Sequence, residues 1–155
     1  MNAPRAFLAG VVGGAVMSAL MFLGRAGLGL DVDLEMLMGT VFLERGAAAW
    51  LLGLGMHLMM SGLIGVGYAL AFERVTQKAS AGIGAAFSVV HMLVAGPVMG
   101  GVVPLVHRLV PEQMPGPGYF LAHHGAAGVA TFVVLHLVFG AVVGALYAGH
   151  VGRRA

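Results

Sequence analysis

Residues 6–30, 47–72, 81–106 and 119–148 form four almost uninterrupted apolar stretches, and every charged residue except Arg25 falls outside them. A membrane-spanning helix needs about 20 predominantly apolar residues, and each stretch is long enough. In hydrocarbon every backbone N–H and C=O must be satisfied within the spanning structure, which leaves helices or closed barrels. The runs are continuous instead of alternating with period two, so they read as helices. The expectation is an all-α polytopic membrane protein with four transmembrane helices. Residues 1–155 are expected to form a single integral membrane domain with no soluble appendage. The first stretch is too long for a signal-peptide core and reads as a retained span.

Composition excludes most alternatives. Hydrophobic residues make up 59% of the chain and charged residues 9%, where a soluble domain carries roughly a quarter charged. With mean hydropathy +0.96, a water-soluble domain of this size could not cover its surface. A soluble enzyme, a nucleic-acid-binding module and a disordered chain are therefore set aside, and the bilayer is the first partner. The basic excess, eight Lys and Arg against six Asp and Glu, is too small to imply an anionic macromolecule. The absence of cysteine excludes disulfides, thiolate metal sites and a thiol nucleophile.

Basic residues near the span ends set the orientation. Arg5, Arg74, Lys78, Arg153 and Arg154 fall on one side, against Arg25, Arg45 and Arg108 on the other, which places both termini in the cytoplasm. In the first outer loop Leu34, Leu37, Met38, Val41 and Phe42 follow a helical period behind Asp31, Asp33 and Glu35. This predicts a short interfacial helix. Its acidic face could collect cations, or the helix could simply re-enter and cover the bundle. The second outer loop, residues 111–118, holds three prolines and two glycines and should be irregular. Pro97 inside the third stretch predicts a kink, static or hinge-like.

Spans two and four share a spaced pattern. His57-Leu58, Gly65 and Tyr68-Ala69 correspond to His136-Leu137, Gly144 and Tyr147-Ala148 at identical intervals. Spans one and three echo one another more weakly, Gly14-Ala15 and Ser18 against Gly84-Ala85 and Ser88, with Met21 aligned to His91. The chain reads as a tandem 2+2 repeat whose halves are related by an axis along the membrane normal. On each helix the pattern falls on one face: His57, Ser61, Gly65 and Tyr68 in one, and His136, Gly140, Gly144 and Tyr147 in the other. Small residues let backbones approach closely in lipid. These positions are therefore expected helix-packing sites, within the chain or against a second copy or another membrane protein.

Ionisable residues inside a membrane are functional candidates; here they are His57, His91 and His136. His107, His123 and His124 fall near the outer interface, and His150 near the inner one. Arg25 is placed to snorkel or to pair with Asp31 or Asp33. No acid falls inside a span, no buried Asp completes a triad with Ser18, Ser61 or Ser88, and no phosphate loop or metalloprotease signature occurs. Catalysis is not expected. A bound haem b or a metal ion would take His57 and His136 as ligands, with His91 as substitute. The Met56-His57 and His91-Met92 pairs, with Met59, Met60 and Met99 near, would also suit copper(I). The alternative is that these rings merely hydrogen-bond to Ser61, Ser88 or a tyrosine.

The short outer loop with the repeated His-Leu and Gly-x-x-Tyr pattern resembles a family of small four-helix bacterial inner-membrane proteins built on a domain of unknown function. The resemblance runs over nearly the whole chain and implies a bacterial cytoplasmic membrane, without an activity or site residues. The packing faces favour a structural or assembly subunit. A haem- or metal-binding membrane protein and a small oligomeric transporter or channel are the alternatives.

Overall fold

The computed structural model describes residues 1–29, 32–107 and 116–151. Asp31, Arg108, Arg153 and Arg154, used above in the pairing and orientation arguments, and residues 111–115 of the proline-rich loop lie outside that set. The helices are α1 (Ala3–Leu28), α2 (Leu34–Gly39), α3 (Ala47–Ala71), α4 (Ala81–Pro97), α5 (Val103–Val106) and α6 (Gly125–Val151). No strand occurs among the described residues. Four helical segments are long and apolar enough to cross a membrane, and the chain is an all-α, multi-pass membrane protein.

Helix ends are written locally. Asn2 caps α1 by accepting from the Arg5 amide at 3.1 Å, Asp33 caps α2 through the Met36 amide at 2.9 Å, and Ser80 caps α4 through Ile83 at 3.2 Å. Gly29 closes α1 in the left-handed conformation. The Met1 ammonium lies 2.9 Å from Glu73 Oε2, and the Asn2 amide donates to the Tyr147 hydroxyl at 3.0 Å. The N-terminus, the α3–α4 connection and the last turn of α6 thus meet at one end of the bundle. The α1–α3 loop and His107 lie at the other.

Close backbone contact organises the bundle. A Cβ on Gly10 would run into the Ser61 carbonyl, and one on Gly65 into the backbones of Ala6 and Gly10. In the other pair, a Cβ on Gly84 would meet the Gly140 carbonyl and one on Gly144 the Ser80 carbonyl. With Ser61 set against Gly140 and Gly65 against Gly144, these contacts correspond when Gly10 is set against Gly84, one helical turn away from the sequence alignment of Gly14 with Gly84. Helix α1 also packs on α6, where Gly13 faces Phe139 and Val143. Tyr68, Phe72, Phe139, Val143 and Tyr147 fill the interior. Helix α4 packs mainly on α6 and reaches Tyr68 and Phe72 through His91 and Phe87; 6% of its apolar stretch is covered, against 33–39% in the other spans.

Two elements differ from the sequence expectation in detail. Pro97 lacks an N–H and crowds the Leu93 carbonyl, and the chain answers by widening into a π-helical turn over Val98–Val102 instead of breaking. The fourth span does not begin as α-helix at Tyr119. Residues Tyr119–His124 form a tight turn with Phe120 and Leu121 at φ 54° and 61°, and the α-helix starts at Gly125. That turn seats the Phe120 ring on Gly96 and Tyr119 on Gly100, where any Cβ would clash.

Candidate functional site

The short helix expected in the first loop is α2, and it is tucked into the bundle as a re-entrant cover. It runs antiparallel along the first half of α3, with Gly39 against the Ala49 carbonyl and Gly53 against the Glu35 carbonyl. With a glycine on each helix, the backbones approach too closely for any Cβ to intervene. Asp33 pairs with Arg25 and caps the helix, which rotates Glu35 inward. Glu35 is 4% exposed, whereas Phe42 in the same loop is 63% exposed. The acidic face is therefore divided. Asp33 faces the end of the bundle, and Glu35 enters its interior.

There Glu35 meets the first intramembrane histidine. Its Oε1 lies 3.7 Å from Nδ1 of His57, and the Ser18 hydroxyl lies 3.0 Å from the same nitrogen. Oε1 has no hydrogen-bond partner. Beside these groups is a cavity of about 10 Å³, the room of roughly one water molecule, lined also by Met17, Met21, Leu34 and Leu135. Burial pushes the Glu35 carboxyl up, but His57, Ser18 and the helix's own backbone amide together outweigh it and hold it below the ordinary carboxylate range. An ionised carboxylate inside a membrane bundle calls for a cation.

The second and third histidines sit together. The His91 and His136 ring centroids are 4.7 Å apart, edge to face, and the Phe132 ring lies 4.1 Å from His136. Nδ1 of His136 is 2.7 Å from the Phe132 carbonyl, which can only accept, so this nitrogen carries a proton. His91 Nδ1 lies 3.5 Å from the Tyr68 hydroxyl. Tyr68 packs on Phe139 and Phe72, and Phe72 stacks on Tyr147. This aromatic layer separates the histidines from Glu73, which accepts a hydrogen bond from Tyr147 at 2.6 Å and lies 3.8 Å from His150.

The other sequence candidates take packing positions. Ser61 is buried against Gly10 and Gly14, and Gly140 is pressed on Gly84 beside Ser88. Ser88 donates to the Ala85 carbonyl at 2.6 Å, so it is not a partner for the histidines. His107 is fully inside, 3% exposed, and donates from Nε2 to the Leu37 carbonyl at 2.8 Å, with Thr40 Oγ1 at 3.2 Å. It ties the end of the third span to α2. Sequence reasoning put Glu35 on a surface acidic face and His107 at the outer interface and gave Glu73 no role, so it missed that Glu35 and His107 are buried. The available signal for Glu35 was the pair Gly39 and Gly53, which permits close approach.

Chemically, the Glu35 cluster is not a nucleophilic triad. Such a relay places the nucleophile on one ring nitrogen and the carboxylate on the other, whereas Ser18 and Glu35 both approach Nδ1 of His57. A haem does not fit this interior either. The cavity at His57 holds one water, and His136 is covered by Phe132 on its face and by His91 at its edge. Among the described residues no three His, Asp or Glu side chains converge as a metal-binding group. The chain matches no family model, no curated protein and no solved structure.

Proposed function

We propose that this chain is a small transporter or channel of the bacterial cytoplasmic membrane that binds a small cation inside its helix bundle. The observation that carries the reading is Glu35, buried within an apolar bundle, its Oε1 without a hydrogen bond and 3.7 Å from Nδ1 of His57. Groups of this kind are costly in a membrane and mark ion pathways. Under the basic-residue rule both termini face the cytoplasm, so α2 enters from the periplasmic side and the cation reaches Glu35 from there. The matched glycine contacts of α1–α3 and α4–α6 support descent from a duplicated helix pair. The approach of Ser18 and Glu35 to one nitrogen supports a non-enzymatic role.

A structural or assembly subunit is the second reading, and the bare flank of α4 favours it. The repeated glycine face does not, because it is consumed by contacts inside the chain. The deciding experiment is thermal unfolding of the detergent-purified protein against pH and a panel of monovalent and divalent cations. A ligand that binds only the folded state raises the midpoint, by about 2.7 kcal/mol at a hundredfold excess over Kd. At least one metal or other non-proton cation should stabilise the wild type and fail to stabilise Glu35→Gln. A panel with no Glu35-dependent effect rejects the reading.

A further inference from the structure

We propose that the outer half of the third span, residues 98–107, is a hinged strap that holds α2 closed against the bundle and so controls access to Glu35. This deepens the cation-site reading and rests on it for the identity of what is admitted. No residue of Val98–Val102 or Val103–Val106 is buried, and Leu105 is 85% exposed. Yet the segment ends on His107, whose side chain is inserted and 3% exposed. A segment built this way is secured at its tip and not along its length.

The tip grips the helix that carries the carboxylate. His107 donates from Nε2 to the Leu37 carbonyl at 2.8 Å, and Met99 and Val103 pack on the Leu37 side chain. Leu37 follows Glu35 by two residues on the same six-residue helix. A helix that short has no stability of its own, so its position depends on what holds it. Helix α3 holds it through Gly39 and Gly53, and α3 is a continuous span. The strap is the holder with a hinge.

The hinge lies at the root of the strap. Pro97 and the π-helical turn Val98–Val102 depart from α-helical bonding, and Gly100 and Gly101 place no side chain in the way of a rotation. A clasp sits on this hinge. Tyr119 lies against Gly100 and the Phe120 ring against Gly96, while Phe120 meets Phe132 of α6 edge to face at 5.6 Å. To reach these places Phe120 and Leu121 adopt φ 54° and 61°. Two consecutive bulky residues in the left-handed region are costly, and such conformations cluster at clamps and switch segments. Releasing the clasp relieves that strain, which offsets part of the cost of opening.

The test exploits the absence of cysteine. Leu37→Cys puts a thiol beneath the strap, and Val103→Cys probes the same contact from the strap's side. Each is labelled with N-ethylmaleimide in the detergent-purified full chain, and two probes on facing surfaces mean that a folding defect in one does not decide the result. Adding His107→Ala should speed labelling roughly 3–10-fold, the worth of one hydrogen bond, and Tyr119→Ala should speed it as well. Leu105→Ala, on the bare flank of the strap, should leave it unchanged. Labelling that ignores His107 and Tyr119, or that rises equally with Leu105→Ala, overturns the strap. The two thiols together, oxidised to a disulfide, lock it. A water-soluble carbodiimide with glycine ethyl ester, read by mass spectrometry at Glu35, should modify the reduced protein and spare the locked one. Equal modification of Glu35 in both forms overturns the control of access, and the cation panel then decides the cation site on its own. If modification follows the lock while no cation stabilises through Glu35, the strap stands and the cation reading falls.

Discussion

Oε1 of Glu35 and Nδ1 of His57 lie 3.7 Å apart inside the bundle, the first carried by a six-residue helix and the second by a membrane span. Few arrangements in this fold cost more to build. The carboxylate has left water, and only the imidazole and Ser18 stand near it.

The first prediction follows from the direction in which Glu35 titrates. Its carboxyl is held below the ordinary carboxylate range, so the folded state favours the ionised form. Its contribution to stability is complete above the ordinary carboxylate range and is lost as pH falls through the lowered folded value. Between pH 7 and pH 3 the unfolding midpoint of the wild type should fall further than that of Glu35→Gln. Parallel curves for the two proteins would show that the carboxylate does not hold α2 in place.

How much of this was legible beforehand differs between the spans and the site. The spans could be read because apolar length alone decides them: helices begin at Ala47 and Ala81, the residues expected. The glycine faces were legible because spacing at i, i+4 and i+8 needs no knowledge of the partner helix. Glu35 was not. Hydrophobic periodicity in 31–44 treats every acid as water-facing, whereas the Asp33 cap and the Arg25 pair fix a rotation that turns Glu35 inward. The inward turn depends on a tertiary contact, Gly39 and Gly53 on α3, that no local window contains. The fourth span does start at Tyr119, but its first turn could not be read for a related reason. Tyr119 and Phe120 are apolar, yet their rings are held by Gly96 and Gly100 of another element.

The second prediction separates glycines by their surroundings. Gly65→Ala and Gly144→Ala put a methyl into a neighbouring backbone that cannot move aside. Each should cost roughly 1–3 kcal/mol of stability in detergent. Gly55 and Gly67 lie in the same span as Gly65 with nothing within 4 Å of the added carbon. Gly55→Ala and Gly67→Ala should hold stability level or raise it, since Ala favours helix over Gly by about 1 kcal/mol. Equal losses at all four positions would remove the close-packing account.

The third prediction concerns the anchor of α2. His107→Ala deletes the shorter of two hydrogen bonds to the Leu37 carbonyl, the other coming from the Thr40 hydroxyl at 3.2 Å, at a cost of about 0.5–1.5 kcal/mol. Local opening should be confined to the covering helix. Hydrogen exchange of the amides of residues 37–40 should accelerate, while that of Phe132–Val143 in α6 stays protected. Uniform acceleration along both segments would mean that His107 supports the bundle as a whole and does not clamp α2.

The last prediction fixes the side from which Glu35 is reached. The chain has no cysteine, so a single introduced thiol reports its own side without background. Phe42, after α2, is 63% exposed, and Val75, beyond α3 at the end shared with the N-terminus, is 71% exposed. With both termini cytoplasmic, a membrane-impermeant maleimide added to intact cells should label Phe42→Cys and spare Val75→Cys until the membrane is opened. The reverse pattern would invert the orientation and make the cation site accessible from the cytoplasm. Labelling of both thiols in intact cells would reject the four-span topology, because Phe42 and Val75 flank a single crossing by α3.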